Sequence, residues 1–322
     1  EPLGNPRGRF ELVNARVRAQ PKVAGVNLAN GNLAFTHHDF SLPDNAGAFG
    51  FARVYNNGSQ LISPLGVGWS HAWDGEVREE VAGRLTVHLA GQAFDFPRCH
   101  PASQAVPGAP PALPGASAQC EGDGVHGGTL WRFTNPPQAA AFVFQPASGG
   151  MRYLFRTPAV GKKWLPEGGG AERLAHRRWL LTAVAEKDAD ALADWQVTDP
   201  KSANLTNWTT LEYEPGGNRL SKVTKVGGHW ALRFEYATGW AVELAPAQVQ
   251  AAFAREGLKR LERVSLESAT DGGDVRYRLA LTHDARLNLT AARVTAGSQT
   301  RSWAYDYEPP QASFEAGNEV KA

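Results

Sequence analysis

Three stretches carry side chains whose types and spacing could do chemistry. In the first, "GVNLANGNLAFTHHDFSLP", His37, His38 and Asp39 stand together. On a strand His37 and Asp39 would face one way and His38 the other, which offers half of a metal site. No nearby segment supplies a third ligand, so the expected reading is a hairpin strand that carries histidine, with no metal. In the second, Cys99, His100, Cys120 and His126 border a Pro- and Gly-rich run, in a spacing that fits no standard zinc pattern. In an oxidising compartment Cys99 and Cys120 would form a disulfide; two free thiols and a metal site are the rivals. Closing a loop of that length would contribute about 3 kcal/mol. The third, "GWSHAW", sets Ser70 beside His71, but it is not a nucleophile elbow, and neighbours on a strand point to opposite faces. "GGG" at 168–170 lacks the lysine and helix of a phosphate loop. No motif singles out a catalytic pair among the 32 acidic residues. The expectation is a protein that is not an enzyme and uses no cofactor.

If chemistry is not the theme, the question becomes what elements these residues decorate. The chain has 322 residues, 33 basic and 32 acidic, for a net charge of +1. Such a balance creates no field that would favour nucleic acid or an anionic membrane. No apolar run is long enough for a membrane helix. The first residues, "EPLGNPRGRF", have no signal-peptide architecture and are read as a mature end left after cleavage. Thirty-four glycines, 21 prolines and 10 tryptophans suit short strands joined by frequent turns and would burden an all-helical chain.

Asn30-Gly31 separates two extended runs as a hairpin turn would. "GAFGFARVYNN" alternates apolar residues around Arg53, and "PLGVGWSHAW" uses a tight bend at Gly68 to deliver Trp69. Residues 97–128 read as a long loop, whereas 244–260 are the best helical candidate, an insertion between strands. The second half repeats itself. "LEYEPGGNRLSKV", "LRFEYATGW", "LALTHDARLNLTAARV" and "RSWAYDYEP" each bring an aromatic residue or histidine to a turn. Tyr213 and Tyr236 lie 23 positions apart, and His283 and Tyr305 lie 22 apart. Between Tyr236 and His283 the spacing suggests two periods, with "LKRLERVSLES" as a degenerate unit. Units of this kind cannot bury their faces alone and must stack into a continuing sheet.

The shape of Tyr213–Val223, with Gly217, Asn218 and Leu220 in the turn, resembles the Rhs or YD repeat. Tyr305-Asp306 spells the motif, and His283-Asp284 with Asn288 stands in for it. Independently, "VNLANGNL", "DFSLP", "RVYNN" and "PLGVGWSHAW" resemble the segment that opens the repeat shell in Rhs proteins and related toxin-complex and teneurin-type shells. The positions that carry this second likeness are Asn30, Gly31, Asp39, Pro43, Tyr55, Gly68 and Trp69. The resemblance implies secreted or cell-surface proteins in which antiparallel strands spiral into a hollow shell around a toxic C-terminal polypeptide.

The fold expected is therefore all-β: stacked antiparallel hairpins in a curved or spiral sheet with minor helical insertions. Its parts would be an arm over 1–24, a shell-opening module over 25–150, and a repeat region over 151–322 continuous with it. Four or five repeats are few for a closed shell, and Asp199-Pro200 lacks the paired partner of the family's self-cleavage segment. The expected role is structural and non-catalytic, with sheet edges covered by identical subunits or other shell segments. One alternative is a shell fragment that encapsulates a C-terminal effector. Another is glycan binding through Trp69, Trp73, Trp131, Trp179, Trp230, Trp240 and Trp303, although stacked β-units need such rings as filling.

Overall fold

The computed structural model describes residues 33–44, 47–57, 62–79, 84–104, 110–122, 127–133, 142–147, 150–156, 177–186, 208–214, 219–237, 259–269, 274–284 and 287–307. The arm at 1–24, the Asn30-Gly31 turn, Gly217, Asn218, Trp240 and all but the last two residues of the helical candidate lie outside them. The described residues are all-β, with antiparallel pairing throughout and no helix.

A small sheet comes first. Strands β1 (Ala34–Asp44) and β2 (Gly47–Asn56) form a hairpin, and β5 (Trp69–His71) adds to β2. Between β2 and β5, β3 (Ile62–Ser63) and β4 (Gly66–Val67) pair as a short ribbon. The bend before Trp69 depends on Gly68 at φ +72°, where a side chain would also press on the Asn56 carbonyl.

A 16-stranded sheet follows. Its first strands are β6 (Gly75–Glu79), β7 (Leu85–Leu89), β8 (Gln92–Phe96) and β9 (Arg98–Pro101). Then come β10 (Ala118–Glu121), β11 (Thr129–Arg132), β12 (Phe142–Gln145), β13 (Met151–Arg156) and β14 (Arg177–Glu186). Strands β9 to β14 pair in sequence order, and β12 and β13 carry the sheet across residue 150. β14 is long enough to take β15 (Trp208–Tyr213) along one half of its other side and β6 along the remaining half. β6 pairs β7 and β7 pairs β8 as a branch off β14, and β8 runs into β9, the last strand of the main path, through Pro97 alone. The strands β6 to β14 thus form a ring that is closed at Pro97 by the chain and not by a strand pair, since β8 and β9 each pair one neighbour. Phe94 and Phe96 of β8 meet Phe144 of β12 inside it, and Phe142 meets Trp179.

The 97–128 stretch is therefore not simply a loop: its ends are β9 and β10, paired with Cys99 opposite Cys120. The connection between them brings Leu113 onto a second core, with Trp131, Val143, Leu154, Ala183 and Trp208.

From β15 onward the sheet grows by hairpins: β16 (Leu220–Lys225), β17 (Trp230–Tyr236), β18 (Leu261–Ser268), β19 (Val275–His283), β20 (Leu289–Ala296) and β21 (Gln299–Ala304). Three positions are equivalent. Tyr213 pairs Leu220, Tyr236 pairs Leu261, and His283 pairs Leu289, each just after a register shift that ends its strand. This corrects the sequence reading of the middle unit. Leu261–Ser268 is the return strand of the Tyr236 unit, matching β16 and β20, so Tyr236 and His283 are one structural period apart with a longer connection between β17 and β18.

The main core joins both sheets. Phe40, Phe51 and Trp69 from the small sheet share it with Val223, Leu232, Phe234, Val264 and Leu279 from the large one.

Candidate functional site

A group of buried ionisable residues lies along the seam where the small sheet, with its ribbon, meets the large sheet. At its centre is Arg53. Alternation along "FARVY" turns Arg53 inward with Phe51 and Tyr55, and its side chain is fully buried. A register shift between His38 and Phe40 in the opposite strand aims Asp39 at it. Arg53 Nε and Nη2 donate to the two Asp39 oxygens at 2.8 and 2.7 Å, and Nη1 donates to the Tyr305 hydroxyl at 3.0 Å. The guanidinium also lies 5.3 Å from the ring centre of Trp69, 5.6 Å from Tyr305 and 6.0 Å from Trp303. Planar, weakly hydrated and always charged, arginine suits a paired and ring-lined cage better than lysine. Burial alone would lower its pKa; the Asp39 hydrogen bonds and charge outweigh that and raise it.

Three histidines flank this clasp. His37 meets the Trp303 ring edge-on at 4.4 Å and stands 3.8 Å from Asp39. His71 packs against Phe51 and Phe234, each at 5.5 Å. His283 reaches from β19 to the ribbon, its Nε2 3.1 Å from the Leu65 carbonyl. Burial lowers all three pKa values, to about 3 for His71 and about 4 for His283. His38, on the other face of β1, is exposed.

Direct bonds close the seam elsewhere. Leu261 N–H donates to the Pro64 carbonyl at 2.8 Å, and His229 N–H donates to Asp44 at 3.0 Å. Trp69 Nε1 donates to the Tyr307 hydroxyl at 3.0 Å, and Phe40 stacks on Tyr277 at 5.3 Å. Gly66, at φ +112°, lies so close to the Leu287 carbonyl that a Cβ would sit 2.3 Å from it.

A cavity of about 70 Å³ lies in the same seam, lined by Ser70, Asp74, Glu76, Arg78, His88 and Arg178 among others. Burial and the neighbouring Glu76 push the Asp74 pKa up to about 6. Glu76 is lowered despite its burial, because Arg178 and Arg78 flank it, and Arg178 Nε donates to it at 2.6 Å.

The aromatic residues of the repeats do a different job. Tyr213 donates its hydroxyl to the Leu181 carbonyl at 2.7 Å, Tyr236 to Leu220 at 2.8 Å, and Tyr307 to Leu289 at 2.8 Å. Burial raises the pKa of all three phenols, which keeps the donated proton in place. Tyr236 bonds the carbonyl of Tyr213's pairing partner, and Tyr307 bonds that of His283's. Tyr307, and not Tyr305, thus holds the repeating position, and Tyr305 is diverted to Arg53. Asp284 ties its turn, accepting from the Asn288 backbone and side-chain amides at 2.8 and 2.9 Å, while Asp306 is exposed.

The remaining sequence candidates fall into place. Cys99 and Cys120 form a disulfide, so neither is free to bind a metal. The His37–Asp39 half-site is spent on Arg53, and among the described residues no set of three His, Cys, Asp or Glu side chains converges on one point. Tyr55 and Trp69 are buried and pack on each other at 4.9 Å, and Pro43 pairs Ala48 in the first hairpin. Trp69, Trp131, Trp179 and Trp208 are buried, and Trp73, Trp230 and Trp303 are half-buried. Arg53 is the residue that sequence reasoning missed as a site. Its signal was a lone charge inside an alternating apolar strand.

Residues 24–93 match the family model described as a domain of unknown function, DUF6531. That span takes in the small sheet and the first strands of the ring. No curated protein matches the chain. Among solved structures, a complex of TcdB2, TccC3 and Cdc42 is similar over 87% of this chain at 13% identity, with a TM-score of 0.49. The Tc holotoxin pore of Photorhabdus luminescens is similar over 90% at 12% identity, again at 0.49. The chain spans 16% of the length of each. Both TM-scores lie below 0.5, and the function argued next rests on the chain's own geometry.

Proposed function

We propose that this chain is a non-catalytic wall segment of the Rhs type: a shell-opening module seated on YD-like hairpin units, acting outside the cytoplasm. The observation that carries the reading is the recurring register of Tyr213–Leu220, Tyr236–Leu261 and His283–Leu289 in a sheet that grows hairpin by hairpin. The motif resemblance of both halves and the disulfide support it, because disulfides persist in oxidising compartments. The side chains that could do chemistry serve the fold instead, in an ion-paired clasp and hydroxyl-to-carbonyl bonds.

Continuation occurs at β21. Tyr305 N–H donates to the Thr290 carbonyl, so by alternation the N–H groups of Thr300, Ser302 and Ala304 point away from β20. Among the described residues no strand pairs this side of β21, and such an edge is a template for another strand, supplied by further chain or by a second copy. Amide exchange on native material tests this. The amides of Thr300, Ser302 and Ala304 are expected to exchange as slowly as those of Arg301 and Trp303. Full-speed exchange at those three positions would sink the wall reading. Ser302→Pro removes one outward donor without touching the β20 ladder, and is expected to abolish the added pairing.

A further inference from the structure

We propose that the seam is an acid-released latch: protonation of His37, His71 and His283 detaches the module of residues 33–71 from the large sheet. This rests on the seam alone and holds whether or not the sheet belongs to a shell.

The three rings come from both sides of one interface, β1 and β5 on the module and β19 on the sheet. Each keeps a buried ring nitrogen with no hydrogen-bond partner: Nε2 of His37, Nδ1 of His71 and Nδ1 of His283. A bare ring nitrogen costs little in a dry seam, whereas a buried N–H⁺ without an acceptor is expensive. The surroundings offer no rescue. Asp39 would attract a proton on His37, but both its oxygens already accept from Arg53, whose charge repels one, as does His38 more weakly. His71 packs against the rings of Phe51 and Phe234, and burial is what lowers its pKa. His283 feels Arg260 against a proton and Asp284 in favour, and the Asp284 carboxylate is engaged by Asn288. The Leu65 carbonyl holds the first proton on Nε2, so a second must arrive at buried Nδ1.

The direction follows from linkage. Histidines held below their free value of about 6.5 stabilise the closed seam above that pH, and the contribution fades as pH falls toward the folded values. Between about pH 7.5 and pH 5, His71 and His283, held at about 3 and about 4, each favour opening by roughly 30-fold. Asp74, raised to about 6 in the adjoining cavity, opposes this, because it is stabilised by protonation over the same range. Its effect is about tenfold, so His71 and His283 together prevail.

Hydrogen exchange on the intact protein, corrected for the intrinsic rate, is the test. Protection in β1, β2 and β5 is expected to fall between about pH 7.5 and pH 5 while the ring β6–β14 keeps its own. The double variant His71→Phe, His283→Gln is expected to lose most of that difference. If both histidines prove necessary for folding, the single variant His37→Gln, at the half-exposed end of the seam, must still show a smaller difference than wild type. Equal protection at the two pH values, or equal loss in every strand, would overturn the latch.

Discussion

The small sheet and the β15–β21 region bury polar groups in opposite ways. In the repeated region the hydroxyls of Tyr213, Tyr236 and Tyr307 are each satisfied by the backbone of a neighbouring strand. In the module, Arg53 and Asp39 satisfy each other and then reach 252 positions along the chain to Tyr305. The first arrangement needs only a leucine carbonyl from the preceding hairpin, so it can recur wherever a hairpin is added. The second needs one set of partners and fixes where the module sits. A recurring bond and a clasp tied to one place are built from the same strand geometry.

That contrast can be broken, most strongly at the clasp. Arg53→Leu leaves the Asp39 carboxylate buried without its partner and is expected to cost about 3–5 kcal/mol in urea unfolding. The pair Arg53→Leu, Asp39→Leu should recover a large part, because no lone charge remains. Replacing Cys99 and Cys120 together by alanine should cost about 3 kcal/mol through the freed connection over Trp131 and Trp208. Tyr236→Phe removes one neutral hydrogen bond and should cost about 1 kcal/mol by the same measurement. Smallest is the exposed cross-strand pair of Glu235 and Arg263, where Glu235→Gln should change stability by less than about 1 kcal/mol. A loss at Tyr236 as large as that at Arg53 would erase the distinction between wall and clasp.

Much of the wall was legible in the sequence, because alternation and turn residues report faces and hairpins locally. Tyr213, Tyr236 and His283 stand at equivalent bulges, as their shared position before a turn suggested. Spacing alone misled in two places. The long connection between β17 and β18 looked like an extra unit, and Tyr305 took the place of Tyr307. In both cases the partner across the strand, which no local pattern states, decides the assignment. The ring was not legible at all: Arg178 of β14 pairs Arg78 of β6, and nothing near either residue announces the other. Arg53 and Asp39 were both visible as residues, but alternation says which side a charge faces and not what waits there.

At the β6–β9 end of the large sheet the chain turns from β8 straight into β9, whereas at the other end β21 offers a full strand of outward donors. Two copies that met through β21 would bury the same margin on both and form a pair related by twofold symmetry.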